Sequence, residues 1–131
     1  MPRTIISSGT PWEAAGAYAR AVRVGDVVYV SGTTASDATG TPQHPGDPAG
    51  QAEYILRKID SALQQAGSSL REVVRVRTYV TDITQWRAVS AVHARHFQGI
   101  LPTSTLVEVS RLVDPQHLVE IEVEAVIGSA P

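Results

Sequence analysis

The chain has 131 residues, 43% hydrophobic and 18% charged, a composition that suits a folded globular domain and excludes a disordered one. Eleven Lys/Arg against thirteen Asp/Glu leave a net charge of −2, with Lys58 as the single lysine, so the basic stripe of a nucleic-acid surface is missing. There is no cysteine, which excludes disulfides, thiolate nucleophiles and cysteine metal sites. No apolar run approaches the ~18 residues of a membrane span, and the start lacks a basic-then-apolar signal pattern. A single cytoplasmic domain over residues 1–131 is the expectation.

In chain order, Arg3–Ser7 is a short strand candidate, followed by a turn or loop at Gly9, Thr10 and Pro11. Tyr18–Val24 alternates, Gly25-Asp26 is a hairpin signal, and Val27–Ser31 completes the hairpin before Gly32. Thr33–Ala49 is rich in Thr, Gly, Pro, Ser and Asp and predicts a long loop, either bordering a site or a plain surface excursion. Gln51–Ala66 places Ile55, Ile59, Ala62, Leu63 and Ala66 on one helical face, with Gly67 as the stop. Ser69-Leu70-Arg71-Glu72 has the form of a capping box and predicts a short helical turn. In Val73–Asp82, Val74, Val76, Thr78 and Val80 face one way, and Arg75, Arg77 and Tyr79 the other. Thr84–Gln98 is a second helix with Trp86, Val89, His93 and Phe97 on its stripe, closed at Gly99.

The last third carries two further strands, Thr103–Val109 and Val119–Ile127, around a loop with Asp114 and Pro115. In the second, Val119, Ile121, Val123, Ala125 and Ile127 alternate with Glu120, Glu122 and Glu124. Three carboxylates on one face cannot lie against an apolar layer uncompensated. If this strand neighbours the one holding Arg75 and Arg77, cross-strand ion pairs offset much of the charge. The order β-β-β-α-β-α-β-β predicts an α+β domain, a mixed sheet with two helices packed on one face.

Two stretches resemble the Rid family (RidA/YjgF, also called the L-PSP family). One is Pro102-Thr103-Ser104-Thr105-Leu106-Val107-Glu108-Val109-Ser110-Arg111-Leu112 followed by Val119-Glu120-Ile121. The other runs from Tyr18 through Gly25-Asp26 and Val27–Val30 to Ser31-Gly32. The resemblance implies a chorismate-mutase-like fold, a homotrimer whose sheets form an inward-facing barrel, and small-molecule clefts between subunits. It implies no cofactor. The activity it implies is hydrolysis of reactive enamines and imines, such as 2-aminoacrylate, to keto acids and ammonia.

Carried over residue by residue, Glu120 takes the catalytic position associated with the water, and Tyr18 and the Ser31-Gly32 segment border the substrate. Thr103, Ser104 and Thr105 supply a hydroxyl patch. Ser104 stands where the family pattern has the arginine that holds the substrate carboxylate. One short hydroxyl cannot replace a guanidinium fork, and the lost contact costs on the order of 2–4 kcal/mol of binding. Deaminase activity is therefore expected to be weak or altered. A non-catalytic metabolite-binding or regulatory trimer is the alternative.

Each candidate has a plainer reading. Ser104 is also an ordinary small strand residue, and Tyr18 an ordinary strand-start aromatic. Glu120 is also a member of an ion-pair ladder with Arg75, Arg77 or Arg111, while Arg20 or Arg111 could bring a displaced cation to the cleft. His93 and His96 share a helix face without an evident third ligand, so no metal site is expected. Ribonuclease activity, which one of the family's names suggests, is disfavoured by low basicity and the lack of a convincing acid–base pair.

Overall fold

The computed structural model describes residues 2–131. Its strands are β1 (Arg3–Ile6), β2 (Ala21–Val24), β3 (Val27–Thr34), β4 (Val73–Val80), β5 (Thr103–Glu108) and β6 (Val119–Val126). The helices are α1 (Pro11–Gly16), α2 (Pro48–Gln65) and α3 (Trp86–Phe97). The strands form one sheet in the order β1-β2-β3-β6-β4-β5. β4 and β5 run parallel and every other pair is antiparallel.

The long helix forms where the spacing predicts it and starts earlier, because Pro48 suits the first helical position and Asp47 caps it. The Asp47 carboxylate accepts from Gly50 N at 2.9 Å. It ends in a Schellman arrangement: Gly67 has φ +89°, Gly67 N donates to Gln64 O at 3.0 Å, and Ser68 N donates to Leu63 O at 2.8 Å. Its buried stripe, Ile55, Leu56, Ile59, Ala62 and Leu63, packs on β3 and β6. There Val28, Val30, Val119, Ile121, Val123 and Ala125 supply the facing layer of the core.

The two charged rows do meet. β4 lies beside β6 with Arg75 opposite Glu124 and Arg77 opposite Glu122. Arg77 reaches Glu124 at 3.4 Å, Arg75 reaches Glu124 at 3.6 Å, and the Tyr79 hydroxyl donates to Glu122. Glu120 takes no part in these pairs, so the ladder uses two of the three carboxylates.

Local readings differ in four places. The stretch at Gly9–Pro11 leads into α1, a helix of six residues, too short to show a period. Val74 does not join the buried face: a bulge between Val73 and Arg75 turns it out to 38% exposure and buries Val73 instead. Trp86 is 42% exposed, and α3 buries Val89, Val92 and Phe97. The capping box forms by half. Ser69 Oγ accepts from Arg71 N at 3.3 Å, while Glu72 accepts from Ser68 Oγ at 2.8 Å and from Gly128 N.

Candidate functional site

Between Val30 and Thr33 the register of β3 against β6 slips by one residue, so Ser31 and Gly32 together face a single residue of the neighbouring strand. Such a bulge bends the strand and frees a short stretch of backbone from the ladder. The hydroxyl of Ser31 donates to Ala19 O at 2.7 Å, and Ser31 N donates to Arg20 O at 2.9 Å, tying the bulge to the segment that enters β2. Over it lies a cavity of about 570 Å³. Trp12, Ala15 and Gly16 of α1 form one wall. Tyr18, Arg20, Ser31, Gly32 and Thr34 form the floor, and Val113, His117 and Glu120 close the remaining side.

The α1 wall is held from within. Glu13 is 5% exposed and accepts from Ser7 Oγ and Thr10 Oγ1, both at 2.9 Å, and from the hydroxyl and backbone N–H of Ser8. Burial pushes its pKa up, but the bonds from Ser8, Ser7 and Thr10 outweigh that and hold it below the ordinary carboxylate value. The carboxylate thus stays charged, tying the segment after β1 to α1.

Glu120 rests on Gly32. A Cβ at position 32 would overlap Glu120 Oε2 and lie 3.0 Å from Glu120 Cδ, so only glycine leaves room for the carboxylate there. Burial raises the Glu120 pKa, Arg20 opposes the rise, and Glu122 adds to it. Arg20 is 6% exposed and donates from Nη2 to Gly32 O at 2.9 Å, with its guanidinium carbon 5.9 Å from the centre of the Tyr18 ring. Burial lowers its pKa against the pull of Glu13, Tyr18 and Glu120. Of the two displaced cations considered from sequence, Arg20 lines the cavity; Arg111 is exposed on the loop after β5 and does not.

A folded state that holds the Glu120 proton more tightly than the unfolded chain loses stability as pH rises from about 4.5 through the folded pKa. Removing the charge should remove that loss. Glu120→Gln is expected to match the wild type near pH 4 and to melt at a higher temperature than it at pH 7–8. Thermal denaturation across that range checks the divergence, and parallel curves would contradict it.

The residues singled out from sequence fall into two groups. Tyr18, Ser31, Gly32 and Glu120 share the cavity. Thr103, Ser104 and Thr105 do not: they lie exposed on β5 at the sheet edge, paired with Arg75, Val76 and Arg77 of β4. Sequence reasoning passed over Trp12, which sits in the unread short helix, and left His117 without a role. His117 is 1% exposed, with its ring centre 5.9 Å from that of Trp12 in an edge-on arrangement. His96 is engaged with Glu53 at 2.6 Å, and His93 packs on Phe97 with ring centres 4.7 Å apart.

A family model described as Endoribonuclease L-PSP matches residues 9–127. The chain belongs to the Rid/YjgF/L-PSP family. The crystal structure of Rv2704 from Mycobacterium tuberculosis, described as a member of the YjgF/YER057c/UK114 family, is 48% identical. It superposes with a TM-score of 0.87 over 96% of this chain and 100% of that one. RidA from an Antarctic Psychrobacter is 30% identical, with a TM-score of 0.83 over 95% and 98% of the two chains. An uncharacterized protein of Streptomyces coelicolor is 34% identical over 124 residues, 95% of this chain and 92% of that one. The Rid/YjgF fold expected from sequence is therefore established for this chain, and no helix among the described residues is long and apolar enough to cross a membrane.

Proposed function

We propose that the chain is a Rid-type protein acting on a small metabolite in the Glu120 cavity, as a hydrolase related to the enamine and imine deaminases. The observation that carries this reading is the Glu120 carboxylate. It is seated on Gly32, raised in pKa by burial and accompanied by Arg20 at the floor of a cavity of about 570 Å³. A carboxyl group shifted toward neutrality is suited to exchanging protons at working pH.

In the reaction, Glu120 takes a proton from water as the oxygen bonds to the imine carbon, and the electron pair of the C=N bond moves to nitrogen. Proton delivery to that nitrogen then lets the carbinolamine expel ammonia and form the keto group. Tyr18 and the bulge at Ser31-Gly32 border the substrate, and the buried guanidinium of Arg20 favours an anion above it.

The working unit in this reading is a homotrimer in which β5 of a neighbouring copy completes the cleft. Support comes from exposed apolar residues at the cavity rim and along β5: Val113 at 82%, Tyr18 at 44% and Val107 at 42%. The row of Arg75, Arg77, Glu122 and Glu124 lies on the sheet face turned away from the helices, where a barrel interior would be. Thr103, Ser104 and Thr105 would then reach the cavity from the neighbour, with Ser104 in the place of a carboxylate-binding arginine, and turnover of simple 2-imino acids is accordingly weak.

The test is ammonia release from 2-aminoacrylate generated in situ. Slow release above the uncatalysed rate, lost in Glu120→Gln, is the expected result. Thermal stabilisation by small keto acids with no ammonia from any imine supplied would instead place the protein with non-catalytic metabolite-binding trimers.

A further inference from the structure

Among the described residues, three buried side-chain nitrogens have no hydrogen-bond partner: Arg20 Nε, His117 Nδ1 and His117 Nε2. All three belong to residues lining the one cavity. Buried polar groups are paired in the great majority of cases, and each exception needs a reason. For His117 the reason is not packing, since an apolar side chain would fill the space beside Trp12 without leaving two unmade bonds. Burial lowers the pKa of the ring, with Lys58 adding to the effect and Asp114 opposing it. A neutral imidazole in this place offers one N–H to an incoming acceptor.

The surroundings favour an anionic acceptor. Two cations stand near the cavity, one buried and one half-buried. Arg20 is one, and Lys58 is the other, with its pKa pushed down to about 8 by burial. Among the described residues neither forms an ion pair with a carboxylate. Lys58 spends its bonds on Thr34 O, Ser36 O and Ser36 Oγ. The charge of Glu13 is already engaged by the hydroxyls around it. His117 and Glu120 are three residues apart in one segment and line the same cavity, so a single small ligand can meet both. Trp12, Ala15 and Val113 supply apolar surface in that cavity.

We propose that His117 reads a second oxygen group on the ligand, so that the cavity selects small acids with a carboxylate at the far end over acids of equal length ending in methyl. The proposal rests on the Glu120 cavity being the ligand site. It assigns His117 to specificity rather than to the reaction, because the ring meets the end of the ligand remote from Glu120.

Two stable keto acids of the same five-carbon length test it: 2-oxoglutarate and 2-oxopentanoate, titrated by calorimetry into the intact protein. The wild type is expected to bind 2-oxoglutarate at least about tenfold more tightly. H117L should bring the two to equal affinity, and H117Q, which keeps an N–H donor, should retain part of the preference. NMR titration of the His117 ring gives a second readout that needs no variant: its pKa should rise on saturation with 2-oxoglutarate and stay put with 2-oxopentanoate.

Equal affinity of the wild type for both acids, a preference that survives in H117L, or an unmoved His117 titration overturns the proposal and leaves the cavity reading standing. Binding of neither acid overturns both.

Discussion

Gly32→Ala is expected to leave the fold intact and to remove at least about tenfold of ligand affinity or turnover from the Glu120 cavity. The Cβ would enter the space of Glu120 Oε2, with Cδ at 3.0 Å and Cγ at 3.4 Å. Gly32 does not have the positive φ that makes alanine strained, so the backbone tolerates the change. What must move is the far end of a flexible side chain, which shifts cheaply. The stability change should stay within about 1 kcal/mol, the ordinary range for a substitution that breaks no packed contact.

A small displacement matters more to chemistry than to folding, since a reacting group misplaced by an ångström can lose most of its effect. Thermal denaturation together with calorimetric titration of 2-oxoglutarate separates the two. A melting temperature near that of the wild type with lost binding is the expected pair. Unchanged binding would mean that the Glu120 carboxylate works in some position other than the one over Gly32, and would remove the basis for its role.

How far the chain can be read without coordinates depends on how local each feature is. The strands and both long helices follow from periodicities contained in single stretches, and the pairing of β4 with β6 follows from charge rows that need each other. The breaks in pattern do not announce themselves. Val74 continues the alternation in sequence, yet a bulge one residue away reverses it. Trp86 continues a helical stripe but sits where the preceding turn at Ile83–Gln85 leaves it outside the core.

The site divides the same way. Tyr18, Ser31, Gly32 and Glu120 are legible because a family pattern names them. Trp12 and His117 are not, because their meeting depends on a six-residue helix lying over the loop before β6, and neither segment has a period. The ladder reading of Glu120 was equally open in sequence. The cross-strand pairs decide it by satisfying Glu122 and Glu124 and leaving Glu120 over Gly32.

Ser104→Arg is expected to raise the rate of ammonia release from 2-aminoacrylate by about 30- to 1,000-fold, the equivalent of the ~2–4 kcal/mol that a charge-assisted bidentate contact contributes. Within one chain, Ser104 is exposed on β5, opposite Val76 of β4, and away from the cavity. An arginine added there meets no packed core, so the fold should accept it. By itself it could not influence Glu120 at all.

The gain therefore requires a neighbouring copy to carry β5 to the cavity, and the variant tests assembly and chemistry together. The two can be separated by mixing. Hybrid trimers of wild-type chains with chains carrying both Ser104→Arg and Glu120→Gln should gain activity, because the double variant supplies the guanidinium and the wild-type chain an intact carboxylate across the same cleft. Ser104→Arg active and the hybrids also active is the expected outcome. A variant that stays at the wild-type rate while still binding 2-oxoglutarate would show that position 104 does not border the cavity. Arg20 would then be the cation that the substrate carboxylate meets.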